Sequence, residues 1–248
     1  MTGPEIDLSG RTALVTGASR GIGQAIAACL ATCGAQVIGL GTAIESRDSC
    51  DNGPIRPMNC DLSDRAAIKA LLDRLQAEAP PIDILVNNAG IIRRAEAADH
   101  ATEDWDAVMA VNLDAAFVLT RDLGRAMVAR GRGKVVNVAS VLSFQGGILV
   151  PSYAAAKGAI AQLTRAFANE WAPHGVNVNA VAPGYVATDN TAALQADPDR
   201  EAALLARVPA GRWGRPEEIA WPVAFLASDL AGFMHGAVVP VDGGWLAR

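Results

Sequence analysis

A tyrosine and a lysine stand four residues apart among small side chains in the segment PSYAAAKG, residues 151–158. If residues 152–172 form a helix, Tyr153 and Lys157 project from the same face, because side chains at i and i+4 are neighbours. A free phenol has a pKa of about 10, and a nearby ammonium favours its ionised form. The pair is therefore a candidate proton-transfer site, with Lys157 lowering the pKa of Tyr153. The alternative is that Tyr153 packs at a helix start and Lys157 is solvated.

A second candidate site is the glycine-rich segment ALVTGASRGIG, residues 13–23, which joins an apolar run to the helical pattern QAIAACLA. Gly17, Gly21 and Gly23 allow tight turns and a close ligand, and the N–H groups at a helix start favour an anion such as pyrophosphate. The spacing is G-x-x-x-G-x-G, whereas the general dinucleotide fingerprint is G-x-G-x-x-G. Taken alone, the segment indicates either a dinucleotide site or simple turn chemistry.

The elements that must position these residues alternate between strands and helices. Helical patterns separate six short apolar or β-branched runs that predict strands at residues 12–18, 36–40, 83–90, 133–140, 176–183 and 237–244. This alternation predicts an α/β fold, a doubly wound parallel sheet of the Rossmann type, in a single domain over residues 1–248. The polar segment 187–209 is interpreted as an active-site lid, with an ordinary surface excursion as the alternative.

Charge and hydropathy narrow the classes of function. The 248 residues carry a net charge of −5, which argues against nucleic-acid binding because that function normally requires a basic patch. No apolar run reaches the roughly 18–20 residues that span a bilayer, and no secretory leader pattern is present. We therefore expect a cytoplasmic protein that acts on a small molecule, without a nucleic-acid or membrane partner.

The cysteines Cys29, Cys33, Cys50 and Cys60 form no CxxC pair and are predicted to be reduced thiols. Cys29 and Cys33 have the i, i+4 spacing that a metal pair would use. The three histidines are isolated and supply no third ligand, so a buried helix face is the favoured interpretation and no metal is predicted.

The glycine segment resembles the cofactor loop of short-chain dehydrogenases/reductases, and further motifs of that family follow in family order from about residue 8 to the C-terminus. The resemblance implies a catalytic set of Asn112, Ser140, Tyr153 and Lys157. It also implies that a nicotinamide dinucleotide is bound by Gly17, Ser19, Arg20, Gly21, Ile22, Gly23, Gly41, Asp61, Leu62, Asn88, Ala89, Gly90, Tyr153, Lys157, Pro183, Gly184, Val186 and Thr188.

The resemblance also implies a mechanism. During alcohol oxidation Tyr153 takes the hydroxyl proton while hydride leaves the same carbon for the nicotinamide, and reduction runs in reverse. Ser140 would bind the substrate oxygen, Lys157 would hold the nicotinamide ribose, and Asn112 would help a water chain carry protons from Lys157 to solvent. A nucleotide-binding protein that kept the fold and lost catalysis is the alternative of another class, which the presence of all four residues disfavours.

Cofactor choice depends on the end of the second strand. An acidic residue there normally accepts hydrogen bonds from the NAD ribose, whereas this chain has Gly41 followed by Thr42. No carboxylate repels a 2′-phosphate at this position, and Arg20 and Arg47 could attract one, so NADP is admitted. NAD is the favoured prediction, because the enzymes described next are usually described as using NAD and no basic residue directly follows Gly41.

Longer strings such as ASVLSFQGG and PAGRWG resemble the 2-deoxy-D-gluconate 3-dehydrogenases, also described as 2-dehydro-3-deoxy-D-gluconate 5-dehydrogenases. This resemblance implies a carboxylated, polyhydroxylated six-carbon substrate. Arg93 or Arg94 could bind its carboxylate, although adjacent arginines do not easily face one ligand, and Gln145 could reach a hydroxyl. Leu149 stands where the group tends to carry an arginine, which favours a less charged substrate. A 3-oxoacyl carrier-protein reductase is the alternative.

Members of the family are usually tetramers, so the resemblance implies a homotetramer. The alanine-rich faces of AAAKGAIAQLTRAFANEW and the apolar end that contains Trp245 and Leu246 would suit contacts between subunits. The alternative for the helix is ordinary packing on its own sheet.

Overall fold

The computed structural model describes residues 5–44 and 55–248, so Arg47 and Cys50 lie outside the described residues. Seven described strands form one sheet: β1 (Thr12–Thr16), β2 (Gln36–Gly41), β3 (Ile55–Asn59), β4 (Ile84–Asn87), β5 (Gly133–Val138), β6 (Val176–Pro183) and β7 (Val238–Val241).

The strands lie in the spatial order β3-β2-β1-β4-β5-β6-β7, and each neighbouring pair is parallel. The direction of chain progression changes between β1 and β4. Such a switch opens a crevice at the carboxyl ends of the strands, where open α/β sheets bind their ligands. The predicted doubly wound parallel sheet is confirmed.

The six predicted strands do not include β3, and this omission is wrong. The sequence of β3 is IRPMN, in which buried Ile55 and Met58 are separated by exposed Arg56 and by a proline. A proline and a charged residue suit an edge strand, which needs fewer ladder hydrogen bonds and less apolar surface than a central one.

Helices cover both faces of the sheet. The α-helices are α1 (Gly21–Thr32), α2 (Arg65–Glu78), α3 (Thr102–Met109), α4 (Ala115–Arg130), α5 (Pro151–Trp171), α6 (Ala192–Gln195), α7 (Pro198–Leu205) and α8 (Pro216–Ala227). On one face, Val15 of β1 lies in a core cluster with Ile26 of α1 and Ile219 of α8. On the other face, Leu14 lies in a cluster with residues of α2 and α4 such as Leu119. The apolar run of β1 is therefore buried on both sides.

The loop before α5 is pinned to the segment that follows β4. Leu149 has a φ of 66°, in the left-handed region that bulky residues avoid. Its carbonyl accepts a hydrogen bond of 3.1 Å from the Ala95 amide. Pro151 is the first residue of α5. Backbone N–H groups in the first turn of a helix have no partner within the helix, so a proline at this position costs no hydrogen bond.

The segment 187–209 is largely helical. It contains a short 3₁₀ turn, Asp189–Thr191, followed by α6 and α7. Asp197 caps α7 by accepting a hydrogen bond from the Arg200 amide. None of the helices in the described part of the chain has the length and apolar character needed to cross a membrane.

Candidate active site

A cavity of about 520 Å³ opens at the carboxyl ends of β1, β4 and β5. This volume falls within the roughly 300–1,000 Å³ of small-molecule and cofactor sites. All the residues predicted to bind the cofactor, from Gly17 to Thr188, line it together with Ser140 and Arg93. The structure thus brings the glycine loop together with Ser140, Tyr153 and Lys157 at one site.

Sequence reasoning missed part of this lining. The additional residues include Cys60, Ser63, Ile91, Ile92, Ala107, Val111, Asp189, Asn190 and Thr191. Most are apolar or small and carry no chemical signal. The last three belong to the segment 187–209, which the sequence analysis interpreted as an active-site lid without naming individual residues.

The glycine loop has the features that a dinucleotide requires. Helix α1 begins at Gly21, and the side chain of Arg20, the residue before it, makes no capping hydrogen bond. The first N–H groups of the helix are therefore not occupied by the Arg20 side chain. These groups and the helix dipole favour a pyrophosphate. Gly17 and Gly21 have φ of 66° and 56°, which only glycine adopts readily. The residues present therefore fit a nicotinamide dinucleotide.

Replacing Gly23 with alanine is expected to impair cofactor binding. A Cβ at this position would lie 2.0 Å from the Gly17 carbonyl oxygen, so the loop or the start of α1 would have to move. We expect NADH and NADPH to bind at least about tenfold more weakly in a fluorescence titration, with a lower melting temperature, because overpacking of this kind is destabilising.

Gly158→Ala is the matched control, since no atom lies within 4 Å of a Cβ at that position in α5. Removing a glycine from a helix should stabilise the protein by about 0.5–1 kcal/mol and leave cofactor affinity unchanged. Equal affinities in the wild type and Gly23→Ala would show that the loop does not hold the cofactor.

Three side chains meet at the inner end of the cavity. Lys157 is 4% exposed, and its Nζ donates a hydrogen bond of 2.6 Å to the Val138 carbonyl at the end of β5. The same Nζ lies 5.6 Å from the centre of the Tyr153 ring. Ser140 follows β5, and its Oγ interacts with the phenol of Tyr153. The predicted i, i+4 geometry of Tyr153 and Lys157 holds because both lie on α5.

Burial controls the titration of this pair. It raises the pKa of Tyr153 to about 12, while the hydrogen bond with Ser140 and the charge of Arg94 act in the opposite direction. It also lowers the pKa of Lys157 to about 8. The net shift of the Tyr153 pKa is upward, so the predicted lowering is wrong, because burial of the phenol outweighs the charges around it. The phenol is protonated at neutral pH and is ready to act as an acid.

Asn112 lies in a π-helical turn, Ala110–Asp114, between α3 and α4, and is 2% exposed. Its Oδ1 accepts from the Ile91 amide at 2.8 Å, and its Nδ2 donates to the Ile91 carbonyl at 3.1 Å. Asn112 therefore holds the chain that leaves β4. It does not line the large cavity, and with Lys157 it lines a smaller one behind it.

The structure separates the two adjacent arginines. Arg93 lines the cavity, but its Nε lies 3.2 Å from Asp104 Oδ1. Arg94 is not part of the cavity lining among the described residues; it donates a hydrogen bond of 3.4 Å to the Asn190 carbonyl, and its charge acts on Tyr153. Gln145 lies in the loop before α5 and is not part of the cavity lining among the described residues.

The end of β2 carries no carboxylate. A Cβ at Gly41 would lie 3.5 Å from Ser19, so the backbone here adjoins the glycine loop. Arg20 is exposed and its guanidinium lies 3.4 Å from Asp189.

Of the three cysteines in the described part of the chain, Cys60 alone lines the cavity. Cys29, Cys33 and Cys60 are free thiols, and Cys29 and Cys33 pack against the core cluster of α1. Burial raises the pKa of Cys29 to about 11. The described residues contain no group of three or more His, Cys, Asp or Glu side chains that could hold a metal ion.

A dinucleotide cradle that ends beside a buried lysine and a protonated tyrosine is the arrangement of a nicotinamide-dependent oxidoreductase that acts on CH–OH groups. The family model described as enoyl-(acyl carrier protein) reductase matches residues 17–246. Together with the relatives below, this match shows that the chain belongs to the short-chain dehydrogenase/reductase family.

The relatives are similar over nearly the whole chain. A 2-dehydro-3-deoxy-D-gluconate 5-dehydrogenase of Pseudoalteromonas atlantica is 51% identical over 98% of this chain and 99% of that protein. The 3-oxoacyl-[acyl-carrier-protein] reductase of Escherichia coli is 41% identical over 96% of this chain and 98% of that protein. A crystal structure from Agrobacterium tumefaciens, of a protein proposed to be a 2-deoxy-D-gluconate 3-dehydrogenase, contains NADP; it is 50% identical, covers 100% of both chains and has a TM-score of 0.93.

Proposed function

We propose that the protein is an NAD(P)-dependent dehydrogenase that interconverts a secondary alcohol and a ketone on a sugar acid such as 2-deoxy-D-gluconate or 2-dehydro-3-deoxy-D-gluconate. The observation that carries the proposal is the placement of Tyr153, which adjoins Ser140 and Lys157 and also experiences the charge of Arg94. The cavity thus offers a proton donor for a carbonyl oxygen, and the charge of Arg94, which is outside the cavity lining among the described residues, reaches that donor. The 51% identity to the Pseudoalteromonas dehydrogenase supports the substrate class.

In the proposed reduction, Tyr153 donates its proton to the substrate carbonyl oxygen, and the Ser140 hydroxyl holds that oxygen. The bound nicotinamide supplies or accepts the hydride. Lys157 favours the phenolate that proton donation leaves on Tyr153, because its ammonium lies close to the ring. In the oxidation the same residues act in reverse.

Arg94 is the proposed carboxylate ligand, and Arg94→Met tests it. A hydrogen-bonded charge pair contributes enough to raise the KM for a sugar acid by about 10–100-fold when it is lost. The kcat/KM for an uncharged ketone should stay close to that of the wild type. Steady-state kinetics with both substrates give the comparison.

Arg93→Met addresses the competing assignment. Arg93 is already paired with Asp104, so its loss should raise the KM less than the loss of Arg94. A larger increase of the KM in Arg93→Met than in Arg94→Met would show that Arg93 binds the carboxylate. Equal KM values in both variants and the wild type would show that neither arginine binds the carboxylate.

The segment 187–209 is proposed as a lid over this site. Asp189, Asn190 and Thr191 line the cavity, and two of them contact arginines from other loops: Asp189 faces Arg20, and Asn190 accepts from Arg94. These contacts tie the segment to the glycine loop and to the loop after β4, which supports a covering role.

NAD remains the proposed cofactor, with NADP also accepted. Gly41 presents no carboxylate to a 2′-phosphate, and the exposed Arg20 could exchange Asp189 for a phosphate. The NADP found in the Agrobacterium protein supports acceptance of the phosphorylated cofactor. The ratio of kcat/KM for NADH and NADPH measures the preference.

A cytoplasmic homotetramer is proposed as the working form. The free thiols among the described cysteines suit a reducing compartment. Phe117 on α4 and Trp221 on α8 are partly exposed apolar side chains that another subunit could cover. Trp245 is not available for this purpose, contrary to the sequence expectation. It is 4% exposed, packed on Tyr185 and stacked against Arg207 of its own chain.

The test measures turnover of a panel of substrates through the absorbance of the reduced cofactor. It contains the two sugar acids, neutral ketones and a 3-oxoacyl thioester. Turnover of a sugar acid with the highest kcat/KM is the expected result. Turnover of the thioester alone would favour the 3-oxoacyl carrier-protein reductase, which the E. coli relative represents. Cofactor binding without turnover of any carbonyl would favour a non-catalytic nucleotide-binding protein.

A further inference from the structure

Leu149 has a backbone conformation that its side chain disfavours. Its φ is 66°, and among the residues that the structure describes every other positive φ belongs to a glycine. In this left-handed region the Cβ of a leucine crowds the following carbonyl oxygen. Such strain persists where the surrounding structure fixes it, and it is concentrated at functional sites. The strain at Leu149 therefore points to a contact that this turn must make.

The residues on either side fix the turn. Val150 is buried, and a Cβ added at Gly147 would lie only 2.7 Å from the Val150 side chain, so these two residues are closely packed. Pro151 follows at once as the first residue of α5. The chain thus has to bury Val150 and enter a helix within two residues, and the sharp turn at Leu149 allows this.

The carbonyl of Leu149 makes the contact that the turn exposes. It accepts a hydrogen bond of 3.1 Å from the amide of Ala95, a residue 54 positions earlier in the chain. Ala95 directly follows Arg94. The backbone conformation of Leu149 therefore determines where the chain beside Arg94 is held.

The other end of the segment 91–95 is held independently. The Ile91 amide donates to Asn112 Oδ1 at 2.8 Å, and the Ile91 carbonyl accepts from Asn112 Nδ2 at 3.1 Å. Arg94 therefore lies in a short stretch of backbone that is fixed at both ends, by Asn112 at its start and by Leu149 at its end.

The side chain of Arg94 depends on this backbone for its position. Its one hydrogen bond, to the Asn190 carbonyl, is 3.4 Å long, which exceeds the usual 2.7–3.2 Å and fixes a guanidinium weakly. Its charge nevertheless reaches the phenols of both Tyr153 and Tyr185. The backbone at Leu149 and Ala95 is thus the stronger constraint on where that charge lies.

We propose that Leu149 is a positioning residue, whose left-handed backbone directs its carbonyl to the Ala95 amide and so places Arg94 for a carboxylate of the substrate. The ligand role of Arg94 rests on the proposed function, whereas its placement by Leu149 does not. The backbone and not the leucine side chain has this role. Residues that accept a left-handed conformation should therefore replace Leu149 without loss.

Three substitutions at this position separate backbone from side chain. Glycine adopts the left-handed region freely and asparagine tolerates it, so Leu149→Gly and Leu149→Asn should keep the KM for a sugar acid within about twofold of the wild type. Leu149→Val keeps an apolar side chain, but its branched Cβ opposes this conformation, so its KM should rise by about tenfold. The kcat/KM for an uncharged ketone should stay close to that of the wild type in all three.

Steady-state kinetics with the sugar acid and the ketone give the comparison. A raised KM in Leu149→Gly and Leu149→Asn together with a normal KM in Leu149→Val would show that the leucine side chain contacts the substrate, and would overturn the proposal. Equal KM values in all the proteins would overturn it as well. Parallel losses for the charged and the uncharged substrate would assign Leu149 a structural role only.

A double variant tests whether Leu149 acts through Arg94. Adding Leu149→Val to Arg94→Met should change the KM for the sugar acid by less than about twofold, because the residue that Leu149 places is already lost. A further tenfold increase would show that Leu149 acts independently of Arg94, which contradicts the proposal.

Crystal structures of the wild type and of Leu149→Val test the placement without turnover. We expect the Ala95–Leu149 hydrogen bond in the wild type, and in the variant its loss together with a displacement of Arg94 from the Asn190 carbonyl. An unmoved Arg94 would overturn the proposal whatever the substrate is.

These structures also distinguish the two possible failures. If no sugar acid is turned over but Arg94 is displaced in Leu149→Val, the proposed function fails and the placement of Arg94 by Leu149 stands. If Leu149→Val fails to fold in a thermal melt, Leu149→Gly decides: an Arg94 that keeps its wild-type position in the crystal supports the proposal, and a displaced one overturns it.

Discussion

Tyr153→Phe is expected to lower kcat by about 10²–10⁴-fold, the range that a positioned general acid or base contributes. The substitution removes one oxygen and keeps the ring, so the cavity keeps its shape and the affinity for NADH or NADPH should stay within about twofold of the wild type. Steady-state kinetics and a fluorescence titration of the cofactor separate the two quantities. The expected effect is large because Tyr153 is the proposed acid, and the structure places it beside Ser140 and Lys157.

Tyr185→Phe is the matched control, since the chain has two tyrosines. Tyr185 packs against Trp213 and Trp245 and does not line the cavity. Its variant should turn over substrate at close to the wild-type rate. Normal turnover in Tyr153→Phe would remove the phenol from the reaction, and equal losses in both variants would indicate a general effect of tyrosine substitution on the fold.

Lys157→Met is the second variant with a large expected effect. Loss of the ammonium removes the cation that favours the Tyr153 phenolate, and we expect kcat to fall by about 10²-fold or more with a higher KM for the cofactor. Lys134→Met is the matched control, because Lys134 is also buried but donates to Asn177, away from the cavity. Similar kinetic losses in both lysine variants would contradict the assignment.

The buried Lys157 should make the free energy of unfolding depend on pH. The folded-state pKa of Lys157, about 8, lies below the ordinary value of 10.5, so between these pH values the unfolded chain binds a proton that the folded chain does not. Stability therefore rises with pH across this window. Denaturant unfolding should show the free energy of the wild type increasing by up to about 3 kcal/mol relative to Lys157→Met from pH 8 to 10.5.

Much of the fold could be predicted because its central strands are buried on both faces and are rich in apolar residues. Runs such as TALVT and VNVNAVAP are buried throughout, and their alternation with helices is visible in the sequence. The edge strand β3 has no such run, so pattern reasoning passed over it. The left-handed backbone at Leu149 was equally unforeseeable, because leucine ordinarily avoids that conformation.

The candidate site also combines features that the sequence could predict with features that it could not. Helical spacing was enough to place Tyr153 and Lys157 together, and the glycine pattern was enough to place α1. The direction of the Tyr153 pKa shift could not be predicted from the sequence, because it depends on how deeply the fold buries the phenol. The separation of Arg93 from Arg94 depends on Asp104 and Asn190, which are distant in sequence and offer no pattern to read.

Direct hydride transfer between a sugar acid and the cofactor is the central claim, and deuterium labelling tests it most directly. The protein is incubated with NAD or NADP and with 2-dehydro-3-deoxy-D-gluconate that carries deuterium on C5, the alcohol carbon that a 5-dehydrogenase oxidises, and the reduced cofactor is analysed by mass spectrometry. We expect one deuterium on the nicotinamide ring of the reduced cofactor, in equal amount to the ketone formed. Cofactor reduction without transfer of deuterium, or no reaction with the sugar acid while a 3-oxoacyl thioester is reduced by NADH or NADPH, would contradict the claim.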